Sequence, residues 1–356
     1  MRRPGTVAIV TGLIMVVLAL PSLRVQFTPV DATVIPKGQS ARTVADALQQ
    51  RYANQNTTPV TVVVDAPSSD GAGVRAYARG VTELDGVRAV QAPRALDGST
   101  WQVDVAVGGT PEGDLAQSLV GQIRAADSPY PLLVGGDAAE FVDQQDAISS
   151  RLGLGLGLLA LLTFSVLWLM TGSVILPLKS LLMNVLTVGS SLGVLTLIFQ
   201  DGRFEDLLGY TSNGGIEPTD FLVAAALIFA LSTDYGVFLL GRIKEARVGG
   251  RSEREAVAIG LQRTGAVVTA AAILLAVAIG AFVTSSISFI QQIGVATAAG
   301  VLIDAFVVRA LLVPALMGLL GRCNWWSPPL LRRLHDRIGL AEPDVPPPAA
   351  QPIHAA

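Results

Sequence analysis

Apolar and polar positions along this chain follow two different patterns. Six runs are almost continuously apolar and about as long as a bilayer-crossing helix requires, roughly 20 residues: 6–23, 152–170, 181–199, 221–240, 266–283 and 290–320. The last is long enough to tilt, to include an interfacial turn or to kink near Pro314. One run stands alone and five follow as a block, with residues 24–151 of ordinary soluble character between them. In that stretch period-2 alternation predicts strands at 59–66, 87–91, 101–107 and 131–135. Helical spacing predicts helices at 71–84 and 111–126, preceded by a further helix at 40–53. The order βαββαβ is that of the ferredoxin-like split. The expected fold is a polytopic α-helical membrane protein of six spans, one plus five, with an exported α+β ferredoxin-like domain. Its divisions fall at 1–23 for the first span, 24–151 for the exported domain, 152–321 for the five-span bundle and 322–356 for the tail.

Basic residues orient the spans through the positive-inside rule. Arg2 and Arg3 precede the first span, Arg242 to Arg263 supply six cations between the fourth and fifth, and Arg322, Arg332, Arg333 and Arg337 follow the sixth. The third-to-fourth loop has only Arg203, and residues 284–289 have no basic residue. Six spans with both termini cytoplasmic satisfy every loop, in a multi-pass protein of a bacterial inner membrane with residues 24–151 in the periplasm. Two arginines before an apolar run also fit a signal peptide. No A-x-A site follows, however, and Pro21-Ser22-Leu23 is a poor substitute, so the first span is read as an uncleaved anchor. Residues 242–263 combine charge with Ala256, Val257, Ile259 and Leu261 and predict a cytoplasmic amphipathic helix after a Gly249-Gly250 break, its arginines toward lipid headgroups. After about 340 the chain is Pro- and Ala-rich and is expected to be disordered.

Composition strengthens the membrane reading. Hydrophobic residues make up 51% and charged residues 15%, against roughly 25% charged in soluble proteins, and the mean hydropathy is +0.53. A net charge of -3 gives no basic excess for nucleic acid. The single cysteine, Cys323, forms no internal disulfide or zinc framework, and the two histidines, His335 and His354, lie in the last 22 residues. None of the three lysines follows a glycine, so there is no Walker-type ATP site. No cofactor or metal is expected.

The six apolar runs hold two carboxylates, Asp234 and Asp304. Lys179, beside Pro177 at the inner end of the third span, is placed to snorkel. Arg309 lies roughly 15 to 20 Å of helix from the inner surface, so it needs a partner: Asp304 or backbone carbonyls of a neighbouring span. Five α-helical residues offset Asp304 and Arg309 by about 140°, which makes a direct pair dependent on the long arginine arm. Asp234 follows about 13 apolar or small residues and sits in Ser232-Thr233-Asp234-Tyr235. A helix-centre aspartate costs about 2.5 to 3.5 kcal/mol on insertion scales, so it must face protein or water. An acid so placed can load a proton on one side and release it on the other.

At these residues the chain becomes recognisable. The run ALSTDYGVFLLGRIKEA, 230–246, closely resembles the Asp-Tyr motif of MmpL proteins, proton-driven transporters of the RND superfamily. RTGAVVTAAAILLAVAIGAF at 263–282, the run from Ile293 to Pro328 with its NWWSP, and the opening RRP with its span and DATVIP are similar to the same family. The likeness covers all but the tail and fits the carboxy-terminal half of such a transporter. It implies export of lipids or other hydrophobic cargo driven by the proton gradient, with the exported segment as a porter domain. It also implies that Asp234 carries the proton, with Tyr235 as its hydrogen-bonding partner across an interface between two six-span halves. Ser232, Thr233, Asp304 and Arg309 are possible supporting polar residues. The implied partners are membrane lipids, the cargo and a second half, either another copy in a homodimer or a separately encoded amino-terminal half. A remnant or fragment that does nothing alone is the third account. Two rivals stand beside this reading: a protein-translocation motor or accessory subunit of the SecD and SecF type, and an intramembrane aspartyl protease built on the two aspartates and Pro314-Ala315-Leu316.

Overall fold

The computed structural model describes residues 3–51, 60–108 and 113–338. The chain enters through α1 (Pro4–Ala19), with a proline in its first turn, where a missing N–H is harmless. A 3-10 turn extends it to Arg24. After α2 (Ser40–Arg51) comes the sheet domain: β1 (Val60–Asp65), α3 (Gly71–Val81), β2 (Val87–Val90), the two-residue β3 (Arg94–Ala95), β4 (Thr100–Val107), α4 (Asp114–Ala125) and β5 (Leu132–Gly135). All pairings are antiparallel, in the order β2-β4-β1-β5 with β3 beside β4. Apart from the short β3, this is the expected βαββαβ arrangement. Residues 52–53 and 111–112 of the expected helices, Pro59 and the expected disordered tail lie outside the described residues.

Alternation builds the domain's core. Val60, Val62 and Val64 of β1 and Trp101, Val103, Val105 and Val107 of β4 point inward, where Val74, Ala78 and Val81 of α3 and Leu119, Val120 and Ile123 of α4 cover them. The next helix, α5 (Asp137–Thr171), starts in this core with Ala138 and Ala139 and runs on as the second candidate span. The expected boundary at 151/152 therefore falls inside one helix, 35 residues and about 50 Å long. Arg124 of α4 grips Asp143 of α5 with two nitrogens, at 2.6 and 2.9 Å.

The bundle continues with α6 (Ile175–Leu195), which ends in a π-helical turn to Gln200, the short α7 (Glu205–Leu208), α8 (Pro218–Val248), α9 (Glu253–Gly280) and α10 (Ser288–Leu302). A π-helical stretch, Ile303–Leu312, carries α10 into α11 (Val313–Leu320), and α12 (Pro329–Ile338) closes the described chain. Among the described residues, six helices are long and apolar enough to cross a membrane. The last bears out the irregularity expected near Pro314: that residue lies in the first turn of α11, and the wider π ladder just precedes it.

The amphipathic helix expected at 242–263 is not a separate element. Residues 242–248 finish α8 and 253–263 begin α9. Gly250, at φ 82°, turns the chain, and Ser252 with Glu255 forms a capping box that starts α9. The apolar stripe packs on α8: a Cβ at Gly260 would lie 2.5 Å from Ile243 Cγ1. Three of the arginines are held by acids, Arg242 and Arg263 by Glu245 and Arg247 by Glu253.

α1 lies against α6 at Gly189 and Gly193. A Cβ on Gly193 would fall 1.8 Å from the carbonyl oxygen of Leu18, a backbone atom that no rotamer change can move. Gly193→Ala is therefore expected to push α1 off α6 and to destabilise the bundle by about 1 to 3 kcal/mol. An unchanged melting temperature of the solubilised variant would contradict this seat for α1.

Candidate functional site in the helix bundle

The site forms where α6, α8 and α10 meet. α8 and α10 run parallel in one register: Gly300 takes the side chain of Ile228, which a Cβ there would meet at 2.7 Å, and one turn on Ser232 meets Asp304. Ser232 Oγ lies 2.6 Å from Asp304 Oδ1 and 2.9 Å from Asn184 Oδ1, and its single proton serves one of them at a time. Arg309 Nε donates to Asp304 Oδ2 at 2.5 Å, and its Nη2 donates to the carbonyl of Ser232. Asn184 Nδ2 donates to Thr233 Oγ1 at 2.8 Å, and Thr233 in turn donates to the Phe229 carbonyl. Ser232, Asp304, Arg309 and Asn184 are all buried, with Asp304 only 3% exposed.

The direct Asp304–Arg309 pair corrects the α-helical estimate. The two residues lie in the π-helical stretch, whose i→i+5 bonding winds more residues into each turn, so the 140° offset narrows and the arginine arm spans the rest. Arg309 Cζ also sits 5.5 Å from the Tyr235 ring centroid, within cation–π range. Asn184 was not singled out from the sequence, although it is a lone amide in the otherwise apolar or small-residue run 181–199. A cavity of about 30 Å³, room for a water molecule, is lined by Asn184, Ser232, Thr233, Asp304 and Arg309 among others.

Asp234 stands outside this cluster. Two residues turn the helix by about 200°, so Ser232 faces α10 and Asp234 faces away. Asp234 is exposed and has no hydrogen bond or ion pair among the described residues. It belongs to a stripe of exposed residues on α8, Val223, Leu227, Ala230, Asp234 and Phe238, in which it is the one charge. The shelter that the sequence demanded for this acid is not provided by its own bundle. Tyr235 is half-buried beneath Arg309, with no hydrogen bond among the described residues.

Lys179 does not snorkel. It is buried at 8% exposure and donates to Asn324 Oδ1 at 3.2 Å. Asn324, from the NWWSP segment, is fully buried; its amide donates to the carbonyls of Met317 and Gly321, and its own carbonyl accepts from Ser173 Oγ. This node closes one end of the bundle. Removing its amide in Asn324→Ala leaves Lys179 without its acceptor and takes one donor from each of two carbonyls, and is expected to lower the melting temperature of the solubilised protein by an amount matching about 1 to 3 kcal/mol for the buried group left unsatisfied. A variant as stable as the parent would contradict that role. Among the described residues no three His, Cys, Asp or Glu side chains are grouped as metal ligands would be.

Comparison with known proteins adds to this geometry. The profile of the MMPL family matches residues 31–348. The chain is 38% identical over 362 residues to the membrane protein SCO6666 of Streptomyces coelicolor, covering 100% of this chain and 49% of that one. It is 33% identical over 384 residues to the trehalose monomycolate exporter MmpL3 of Mycobacterium tuberculosis, covering 99% and 39%. To the mycolic acid-containing lipids exporter MmpL11 of Mycolicibacterium smegmatis it is 33% identical over 365 residues, covering 96% and 37%. The chain thus spans about half or less of the length of these curated relatives.

Proposed function

The chain belongs to the MMPL family, and on that premise we propose that it exports lipids or other hydrophobic molecules across a bacterial inner membrane, driven by protons that pass through Asp234 and Tyr235 where it meets a second six-helix unit. The observation that carries this reading is the lone carboxylate on the exposed stripe of α8. Facing acyl chains it would cost about 2.5 to 3.5 kcal/mol, whereas against a second helix bundle it gains a protein neighbour and a restricted path for water. Charge distribution supports an orientation with both termini in the cytoplasm and the sheet domain outside.

Behind Asp234, the Asn184–Ser232–Asp304–Arg309 cluster gives α8 a polar backing that can respond to its charge. The Ser232 proton has two acceptors, and Arg309 touches both the Ser232 carbonyl and the face of Tyr235. A shift of α8 set off at Asp234 thereby reaches the α10 side through the Ser232–Asp304 hydrogen bond and the Arg309 contacts to Ser232 and Tyr235. Motion can reach the sheet domain along α5, which is continuous with it, and through Gln144 of α5, which bonds Glu217 and Thr219 at the start of α8. The cargo class follows the relatives, two of which are named as exporters of trehalose monomycolate and of mycolic acid-containing lipids.

The protease alternative needs Asp234 and Asp304 to share a proton, whereas Asp304 meets the Ser232 face of α8, about 200° round that helix from Asp234. A SecD- or SecF-like motor would use the same relay on a different cargo. The decisive measurement is lipid flux in proteoliposomes with an imposed proton gradient, alongside cysteine cross-linking at position 235. Flux that collapses with a protonophore, together with a cross-link between two six-helix units, is the expected result. Flux indifferent to the gradient would overturn the coupling, and a secretion defect without lipid accumulation on loss of the protein would favour the motor.

A further inference from the structure

A second acid in the bundle takes no part in the cluster just described. Asp220, in the first turn of α8, is buried at 7% exposure. Its backbone N–H donates to Glu217 Oε2 at 2.7 Å, but its own Oδ2 has no hydrogen-bond partner among the described residues. Two buried oxygens of α10, Gln292 Oε1 and Thr297 Oγ1, are also without partners there. The parallel register relates the three groups. Ile228 meets Gly300 and Ser232 meets Asp304, a constant separation of 72 positions in sequence, and with equal rise along both helices the same separation brings Gln292 level with Asp220. Ala224 and Ala296, level with each other between these pairs, are both fully buried in one apolar cluster.

Two acceptor oxygens cannot satisfy one another, but one proton changes that. A protonated Asp220 can donate to the Gln292 carbonyl; with Asp220 ionised, the Gln292 amide can rotate and present its NH₂ instead. The seam therefore has two self-consistent arrangements that differ by a proton and an amide flip. Access exists at the same end: a cavity of about 10 Å³, a single water site, is lined by Gln292, Ser288, Glu217 and Thr28, and the Thr28 hydroxyl is itself buried without a partner. Among the described residues no cation is paired with the carboxyl. Asp220 and Glu217 are in no ion pair among the described residues; Gln144 of α5 and Ser288, Gln291 and Gln292 of α10 are uncharged, and the Arg24–Asp201 pair at this end is bonded to itself. Further along α10, Thr297 is the next unpartnered hydroxyl on the way to Asp304.

We propose that Asp220 is a second proton-binding carboxyl, the one by which protons enter the α8–α10 seam from the sheet-domain end, and that the Gln292 amide reports its protonation by turning over. The inference rests on the proton-driven reading above and extends it to a second carboxyl of α8, nearly four turns before Asp234. The test is infrared difference spectroscopy of the full chain in lipid nanodiscs across the neutral pH range. A protonated-carboxyl band is expected that is lost in Asp220→Asn, shifts in frequency in Gln292→Leu, where the acceptor is gone and Asp220 remains, and persists in Asp234→Asn. In proteoliposomes Asp220→Asn is expected to lose the dependence of lipid flux on pH at the sheet-domain side, and Asp220→Glu to restore it. Identical carboxyl spectra for the parent and Asp220→Asn, or a band indifferent to Gln292→Leu, would overturn the assignment. Normal transport by Asp234→Asn alongside an intact Asp220 band would remove Asp234 from the relay and leave this site standing, so the two failures are distinguishable.

Discussion

Asp234→Asn is expected to abolish proton-coupled transport, lowering flux at least about 100-fold, the lower range for losing a proton-transferring group. The substitution keeps the shape of the side chain and removes only its titration. Its effect on the fold runs the other way. Asp234 makes no bond within its own bundle, and an amide in its place relieves part of the roughly 2.5 to 3.5 kcal/mol that a helix-centre aspartate imposes on insertion. The variant should therefore insert at least as well as the parent, so poor expression cannot account for lost transport. Asp234→Glu, which can still titrate, should retain part of the flux. A normal rate in an inserted and assembled Asp234→Asn protein would end the relay assignment.

The second large effect is structural. Arg309→Met strands the Asp304 carboxylate in a site where both side chains are at most 8% exposed, and removing one member of such a pair destabilises by about 3 to 5 kcal/mol. The double variant Asp304→Leu/Arg309→Met removes both charges and should recover most of that loss, because the pair's own attraction largely offsets its desolvation. Thermal denaturation of the solubilised single and double variants measures the coupling directly. Additive losses in the double variant would show that the two residues are not partners. A double variant that is stable but transports slowly would mark the pair as part of the energy-coupling path as well as the scaffold.

The contrast between Asp234 and Asp304 shows where sequence reasoning reached and where it stopped. Insertion energetics single out both as expensive and thus in need of a reason, and this depends only on residue type and depth. Which acid is sheltered by its own chain is a different question, decided by azimuth. α8 turns Ser232 inward and Asp234 outward, and no property of the four-residue polar run reveals which of its members faces α10. Arg309 repeats the point. An α-helix separates residues 304 and 309 by 140°, and the π-helical stretch narrows that angle until the arginine arm reaches the carboxylate. The residues at 242–263 read as a surface helix because charge and apolar character were mixed there; Gly260 against Ile243 shows that the apolar part served a helix hairpin instead. Lys179, expected at the surface, was drawn inside by Asn324.

By itself the sequence determined the six apolar helices, the βαββαβ order of the sheet domain and the short set of intramembrane charges that demand an explanation. Each of these follows from local periodicity and from the free energy of moving side chains out of water, quantities that add along the chain without regard to distant contacts. Tertiary structure alone decided which polar groups meet: the parallel α8–α10 register, the i,i+5 pairing of Asp304 with Arg309, the burial of Asp220 level with Gln292, and the outward face of Asp234. Those depend on helix rotation and register, which are set by close packing between segments far apart in sequence.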